Sequence, residues 1–222
     1  FQPLPTARTG LAMGEFMADP ARFVRRLAEG VEDGARRMSG RAPLRRFSFL
    51  HIGKAAGSEI AAFAAGVNDT RGSLRVLVHD HGVRLGDSPP GRDYFFSIRD
   101  PAGRFRSGFY SRKRMGRPHY EYPWSPDEAR AFADFEHANE LAESLSDAGE
   151  AGRKALFAIR SISHTAMNQV DWFVNHGHFL ALRPPLGIVR QEHFARDFAA
   201  VCAALGVPAP ADRRAEERTH GN

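Results

Sequence analysis

The apolar residues of this chain fall into short continuous runs that alternate with longer segments in which they recur every three or four positions. The runs predict strands at residues 46–52, 74–78, 94–98, 179–182 and 187–189. The helical spacing predicts helices from Pro20 to before Gly40 and at residues 58–66, 101–113, 126–147 (one helix or two), 150–174 (continuous or broken near 161–163) and 192–205. Strands that alternate with helices indicate an α/β fold with a mainly parallel central sheet and helices on both faces.

The two ends of the chain show much weaker periodicity. We expect a loose N-terminal arm at residues 1–18 and a flexible polar tail at 209–222, with a single domain accounting for residues 1–222. No run of about 18 apolar residues occurs, so no membrane span is predicted. Cys202 is the only cysteine, which excludes an internal disulfide and favours a reducing, cytoplasmic location.

The net charge of the chain is positive and is carried almost entirely by arginine. It amounts to +5, and among the 31 basic residues only Lys54, Lys113 and Lys154 are lysines. A GC-rich genome explains such an excess without any function. The alternative is anion binding, because the guanidinium group meets phosphate and sulfate as a planar fork.

Small residues follow the first predicted strand and lead into a helix. The segment Gly53-Lys-Ala-Ala-Gly-Ser58 would place backbone N–H groups and the positive end of a helix around an anion, with Lys54 adding a mobile charge. It is not the GxxxxGK[ST] loop of nucleoside triphosphatases, because its lysine precedes the small residues. An ordinary strand–helix turn with a surface lysine remains the structural alternative.

An arginine and a serine follow the third predicted strand. Arg99 leaves the strand end and Ser107 lies two turns into the next helix, a spacing at which a guanidinium and a hydroxyl can hold one phosphate. Six further cations are predicted to add a broad positive field: Arg104, Arg106, Arg112, Lys113, Arg114 and Arg117. An Arg99–Asp100 ion pair that caps a helix beside a solvated basic face is the structural alternative.

The two segments together resemble the carbohydrate-type, family 2 sulfotransferases, which use 3′-phosphoadenosine 5′-phosphosulfate (PAPS). The family motif HIPKTGGTS is matched at Lys54, Gly57 and Ser58. The more specific motif RDPxxRxxSxY is matched at Arg99, Asp100, Pro101, Arg104 and Ser107, with Tyr110 one position beyond the tyrosine of the motif. The resemblance covers residues 46–115 and resumes weakly at 187–197.

The resemblance implies a P-loop-like three-layer fold and a reaction that needs PAPS as co-substrate and no metal. The 5′-phosphosulfate is expected on residues 54–58 (Lys54, Ala55, Ala56, Gly57 and Ser58), and the 3′-phosphate on Arg99 and Ser107. The expected acceptor is a hydroxyl of a small molecule or carbohydrate, in the latter case on a sugar or polysaccharide. We expect no nucleic-acid partner, because a non-specific polyanion binder needs only a positive face and no ordered set of strand ends.

The segment Val78-His-Asp-His-Gly-Val83 resembles the HxH segment of uronyl and heparan sulfate 2-O-sulfotransferases. That resemblance makes His81 the best match for the general base. His79 is expected on the same face, where it would orient His81 or touch the acceptor, and Asp80 is given no role. Polar strand-end histidines, or a metal site with His176 and His178, are the alternatives; no recognisable ligand spacing supports the metal site.

Departures from the family pattern keep two other functions open. Gly53, Ala55 and Glu59 replace a proline, a threonine and a hydroxyl residue, which removes two hydroxyl donors and adds a carboxylate. A catalytically degenerate protein that still binds nucleotide or polyanion is therefore one alternative. A P-loop small-molecule kinase is a weaker one, because the chain lacks GxxxxGK[ST].

Several other conspicuous residues receive mainly structural interpretations. Trp124 and Trp172 are expected in core or rim packing, and Arg190 and Glu192 as an ion pair at a late strand end. His164, Gln169 and Trp172 fall at helical spacing, so a second possibility is that they line the acceptor cleft.

Overall fold

Four parallel strands form the central sheet. The structure, a computed structural model, describes residues 20–70, 72–89, 91–118, 120–173, 177 and 180–210. Its strands are β1 (Arg45–Leu50), β2 (Leu74–Val78), β3 (Tyr94–Ile98) and β4 (Gly187–Arg190), in the order β2-β1-β3-β4. Every neighbouring pair is parallel. The predicted α/β fold with a parallel sheet is confirmed.

Helices connect and cover the strands. Within the described ranges they are α1 (Pro20–Met38), α2 (Gly57–Asp69), α3 (Pro101–Lys113), α4 (Pro126–Asp134), α5 (Ala138–Ser144), α6 (Glu150–Ser161) and α7 (Phe194–Leu205). The predicted capping box is present at α4, where Ser125 accepts from the Glu128 backbone and Glu128 accepts from the Ser125 backbone. Pro20, Pro101 and Pro126 each occupy a first helical position, which needs no N–H donor.

The strand side chains bury both faces of the sheet, as expected for a parallel sheet. One face holds Phe47, Phe49 and Phe95, which pack in one cluster with Ile60 of α2 and Phe198 of α7. The other face holds Leu50, Tyr94 and Phe96, packed with Leu85, Trp172 and Phe173. A third cluster lies among α3, α4, α5 and α6 around Phe109 and Leu141. Trp172 is thus a core residue.

The strand order reverses between β1 and β3. From β1 the chain crosses to β2 on one side, and the later strands β3 and β4 lie on the other. In open parallel sheets this reversal leaves a crevice at the carboxyl ends of the two central strands, where ligands bind. The segments that follow β1 and β3 are the two that carry the predicted chemistry.

Two predicted elements are wrong in part. Of the helix predicted over 150–174, the alternative with a break near 161–163 is confirmed: α6 ends at Ser161, and the Ser163 backbone N–H donates to Glu128. The part after the break is wrong, because only a short 3₁₀ turn, Gln169–Trp172, follows. The strand predicted at 179–182 is a turn at residues 180–182, closed by a hydrogen bond from Leu180 N to Gly177 O. The predicted arm at 1–18, residue 179 and residues 211–222 of the predicted tail lie outside the described residues.

No helix in the described ranges combines the length and the apolar character needed to cross a membrane.

A buried ion pair joins α3 to α4. Arg112 donates from Nε to Oε1 and from Nη2 to Oε2 of Glu128, each at 2.7 Å, and the two side chains are 2% and 4% exposed. Burial alone would raise the pKa of Glu128. Hydrogen bonds from Arg112 and from the backbones of Ser125 and Ser163 lower it to about 2.

Arg112→Met is expected to destabilise the fold by about 3–5 kcal/mol, because it leaves the Glu128 carboxylate buried without its cation. The free energy of unfolding in urea measures the loss. Arg117→Met, which removes an exposed pair with Glu121, is the control and should cost less than about 1 kcal/mol. Equal losses in the two variants would contradict the importance given to the buried pair.

Candidate functional site

One cleft with two lobes lies beyond the carboxyl ends of β1 and β3. The first, here called the arginine lobe, has a volume of about 470 Å³ and is lined by Lys54, Ser58, Arg99, Arg106, Ser107 and Arg114 among others. The second, the histidine lobe, has a volume of about 580 Å³ and is lined by His51, Lys54, Ser107, His81, His164 and Tyr122 among others. Lys54, Ser58, Arg99 and Ser107 line both lobes, so the structure brings the two predicted phosphate-binding segments together in one cleft.

The loop between β1 and α2 has an unusual backbone. Lys54 and Ala56 have φ angles of 68° and 62°, in the left-handed region that residues with a side chain rarely occupy. Such backbone strain persists where the surrounding structure enforces it, and it is common at ligand sites. Ala56 is also the N-cap of α2 and supplies no side-chain acceptor, so the first N–H groups of α2 are left for a ligand.

Gly57 permits a close contact that fixes this loop. A Cβ atom at position 57 would lie 1.9 Å from Nε2 of His51, so only glycine allows the His51 ring to lie against the start of α2. Ser58 is exposed at the cleft, whereas Ala55 is fully buried and packs with Leu50 in the core. Ala55 therefore offers a ligand only its backbone.

The cations of the cleft repel one another. Burial lowers the pKa of Lys54, and the nearby positive charges of Arg114 and Arg99 lower it further. No ion pair within the described residues neutralises Lys54, Arg99 or Arg114. The partial burial of Lys54 beside these like charges has a cost in free energy that a bound anion would reduce.

Gln169 holds the end of β3. Its side-chain amide accepts from the Arg99 backbone N–H at 2.8 Å and donates to the Arg99 carbonyl at 2.7 Å. Asp100 caps α3 by accepting from Gly103 N at 2.7 Å and makes no ion pair with Arg99. The guanidinium of Arg99 is thereby left to the cleft, opposite Ser107 on α3.

Arg104 connects the two ligand-binding segments. It is buried, donates from Nε to the Gly53 carbonyl at 2.9 Å and from Nη1 to the Met167 carbonyl at 2.8 Å, and stacks near Trp172. Arg104 therefore links α3 to the loop after β1. Sequence analysis placed it in an open positive field.

That positive field is smaller than predicted. Arg104 and Arg112 are buried, Lys113 pairs with Glu136, and Arg117 pairs with Glu121. Arg106 and Arg114 remain exposed at the arginine lobe. The positive charge is therefore concentrated in the cleft and does not extend over a whole face of α3.

His81 and His51 form a pair at the wall of the histidine lobe. Their rings lie 4.1 Å apart between centroids, and Nδ1 of His81 is 2.9 Å from the His51 carbonyl oxygen. A carbonyl oxygen only accepts, so Nδ1 of His81 must be the donor and Nε2 is the nitrogen left to accept a proton. Burial, together with the nearby His81, lowers the pKa of His51 to about 4.

His164 faces the same lobe from the loop after α6. Its pKa is lowered to about 4, chiefly by burial and then by the charges of Lys54 and Arg112. Its Nδ1 is buried without a hydrogen-bond partner among the described residues. Gly108 makes room for this loop, because a Cβ there would lie 2.9 Å from the His164 carbonyl oxygen.

Sequence analysis missed His51 and considered His164 only as one of two possibilities. The signal for His51 was present: a histidine interrupts an otherwise apolar strand end, three residues before Lys54.

His79 does not share the face of His81, contrary to expectation. β2 ends at Val78, and the side chain of His79 turns into the fold, where its Nε2 lies 2.9 Å from Oγ of the buried Ser48. It lines a separate cavity beneath α1, together with Asp80. The predicted positioning or acceptor-binding role of His79 is therefore wrong in its geometry.

Two further expectations change at the edge of the cleft. Arg190 pairs with Asp197 at 2.7 Å, while Glu192 accepts from the Asp100 backbone at 2.8 Å, so the predicted Arg190–Glu192 pair is wrong. Trp124 is half-buried, stacks on Phe132 and donates to the Arg112 carbonyl, which agrees with the packing role predicted for it.

Among the described residues, no cluster of three or more His, Cys, Asp or Glu side chains could hold a metal ion. His176 and His178 of the alternative metal site lie outside those residues.

Taken together, these features define an α/β protein with a strongly cationic cleft and a histidine-lined extension. Comparison with known proteins finds no match to a family model, a curated protein or a solved structure. The resemblance to family 2 sulfotransferases therefore stays a prediction from the motifs.

The histidine lobe should make the stability of the fold sensitive to mild acid. His51 and His164 have pKa values of about 4 in the folded chain against an ordinary 6.5, so the unfolded chain binds more protons as the pH falls. The free energy of unfolding should therefore decline from pH 6.5 down to about pH 4. Urea denaturation at a series of pH values measures it.

The double variant His51→Asn/His164→Asn should show a shallower decline over this range, since two proton-binding differences are removed. His193→Asn, outside the cleft, is the control and should keep the original slope. An unchanged slope in the double variant would show that the two rings do not resist protonation.

Proposed function

We propose that this chain binds PAPS in the cleft and transfers its sulfuryl group to an acceptor hydroxyl. The observation that carries the proposal is the junction at Lys54, where an arginine-rich lobe and a histidine-lined lobe meet at the reversal of strand order. A donor with two separate anionic groups suits the first lobe. The acceptor hydroxyl, which must give up its proton to a base, suits the second lobe.

Two sets of donors support binding of an adenosine bisphosphate. Arg99 and Ser107 flank the arginine lobe and suit the 3′-phosphate, since a guanidinium fork and a hydroxyl can hold one phosphate from two sides. The uncapped start of α2, with Gly57 and Ser58, suits the 5′-phosphosulfate. Lys54, which lines both lobes, would lie beside the group that is transferred.

The mechanism moves one proton and one sulfuryl group. The acceptor oxygen attacks sulfur as its proton passes to Nε2 of His81, and the bond from sulfur to the 5′-phosphate oxygen breaks. The leaving group is 3′,5′-ADP, and Lys54 stabilises the negative charge that grows on its bridging oxygen. As in phosphoryl transfer, the protein chiefly positions the reactants and stabilises charge. No step requires a metal.

The histidine lobe suits a hydroxyl-rich acceptor such as a sugar. His51 and His164 are neutral at pH 7, and Ser163 adds a hydroxyl to the wall. Tyr120 and Tyr122 stand at the rim, 45% and 66% exposed, where aromatic rings can support an apolar sugar face. An acceptor hydroxyl on a sugar or polysaccharide, in a cytoplasmic setting, belongs to the same proposal.

A protein that keeps the nucleotide but lacks turnover is the second candidate. It is favoured by Glu59, an exposed carboxylate in the first turn of α2 that lines the histidine lobe. A negative charge at that position opposes the binding of a sulfuryl donor.

Calorimetry with 3′,5′-ADP tests nucleotide binding. We expect micromolar binding, and a loss of at least tenfold in affinity for Arg99→Ala and for Ser107→Ala, because each removes a donor to the 3′-phosphate. 5′-AMP, which lacks that phosphate, should bind much more weakly to the original chain and lose little more in either variant. The exposed Arg153→Ala on α6 is the matched control.

The absence of binding by the folded chain, or an equal affinity for the two nucleotides, would contradict the proposed 3′-phosphate site.

Turnover of sulfur-labelled PAPS over a panel of sugar acceptors tests catalysis. Lys54→Ala should lower kcat by roughly 10²–10³-fold, as for loss of one preorganised donor. His81→Ala should lower kcat by roughly 10²–10⁴-fold, the range for a general base. His79→Ala should mainly lower stability, since that side chain lies outside the cleft.

If nucleotide binds and no acceptor reacts, the second candidate replaces the first. Full turnover by His81→Ala would refute the assignment of His81 as the general base, but it would not contradict the proposed nucleotide site.

A further inference from the structure

Helix α1 packs against the fold through its acidic side. Glu29 pairs with Arg92 at 2.5 Å, and Glu32 pairs with both Arg46 at 2.8 Å and Arg75 at 3.1 Å. Asp33 also pairs with Arg46, at 2.8 Å. These bridges attach the helix to the face of the sheet opposite Phe47. An amphipathic helix ordinarily turns its apolar side to the core, so the orientation of α1 is reversed.

The apolar side of α1 consequently faces solvent along its whole described length. Val24, Leu27, Val31 and Met38 are 58%, 54%, 71% and 92% exposed. They recur at intervals of three, four and seven residues and so form one continuous stripe. Single exposed apolar residues are ordinary, but a contiguous stripe indicates an interaction surface.

Two glycines border the same stripe. Gly30 and Gly34 are one helical turn apart, and a Cβ built on either meets no described atom within 4 Å. Each costs about 1 kcal/mol of helix stability relative to alanine. No packing contact among the described residues requires them. Glycines on an exposed helix face allow another backbone to approach closely.

The stripe is complementary to itself in one arrangement. If two α1 helices cross antiparallel about a two-fold axis between residues 30 and 31, position i of one helix faces position 61 minus i of the other. Leu27 of each copy then faces Gly34 of the other, and Val31 faces Gly30. A large residue thus meets a glycine in both kinds of contact, and the two-fold axis repeats each contact. The same surface is therefore used by both copies, which defines an isologous interface. A parallel pairing would place Leu27 on Leu27 and glycine on glycine.

We propose that α1 is the contact surface for a second copy of this chain, which docks antiparallel across Leu27, Gly30, Val31 and Gly34. Binding of the apolar stripe to a lipid bilayer is the alternative, and it would not require Gly30 and Gly34. The acidic residues of α1, Glu29, Glu32 and Asp33, are engaged by arginines of the fold, so the exposed side of the helix offers a partner mainly apolar contacts.

Sedimentation equilibrium of the full chain tests the dimer. We expect a dimer at micromolar concentration, and a dissociation constant raised at least tenfold by Leu27→Glu, Val31→Glu or Gly34→Leu. These positions are exposed or open, so the variants should fold, which far-UV circular dichroism checks. Leu156→Glu, which alters an exposed leucine of α6, is the matched control and should leave the dimer unchanged.

Single cysteines test the antiparallel orientation. Val31→Cys lies beside the proposed axis and should form an intermolecular disulfide on mild oxidation, whereas Val24→Cys, near the helix end, should not. The native Cys202 is fully buried and serves as the background.

Cross-linking at both positions would refute the antiparallel arrangement. A chain that stays monomeric at all concentrations, or a dimer insensitive to the α1 variants, would overturn the proposal; so would binding of the monomer to anionic phospholipid vesicles that Val31→Glu abolishes.

Discussion

The mutual repulsion of Lys54, Arg99 and Arg114 is the feature on which the account of this protein depends. Burial and these neighbours lower the pKa of Lys54, and no carboxylate among the described residues neutralises the group. The surrounding structure keeps these charges in place: Gln169 fixes the backbone of Arg99, and Arg104 ties α3 to the loop that carries Lys54. A bound anion would reduce the repulsion among these charges, which is the physical ground for proposing an anionic ligand.

The parallel sheet determines where the cleft lies, and the segments that follow β1 and β3 carry the polar side chains that line it. The reversal of strand order opens a crevice between β1 and β3, and the polar residues that follow these strands meet there. The histidines lie beside cations that line both lobes, and the charges of Lys54 and Arg112 help to keep His164 neutral.

Periodicity and turn residues were sufficient to predict the four strands of the sheet, most helices and the edge of the sheet where Lys54 and Ser107 meet, because local sequence determines these features. The roles of single charged side chains were harder to predict. Arg104 and Arg112 look like surface charges in the sequence, yet their burial depends on Gly53, Met167 and Glu128, which are distant along the chain. His79 was misplaced because β2 ends one residue before it.

A crystal structure with bound 3′,5′-ADP tests the central claim most directly. The account predicts the 3′-phosphate on the Arg99 guanidinium and Ser107 hydroxyl, and the 5′-phosphate on the Lys54 ammonium and the first N–H groups of α2. A nucleotide that occupied another surface, or that left either phosphate in solvent, would contradict it.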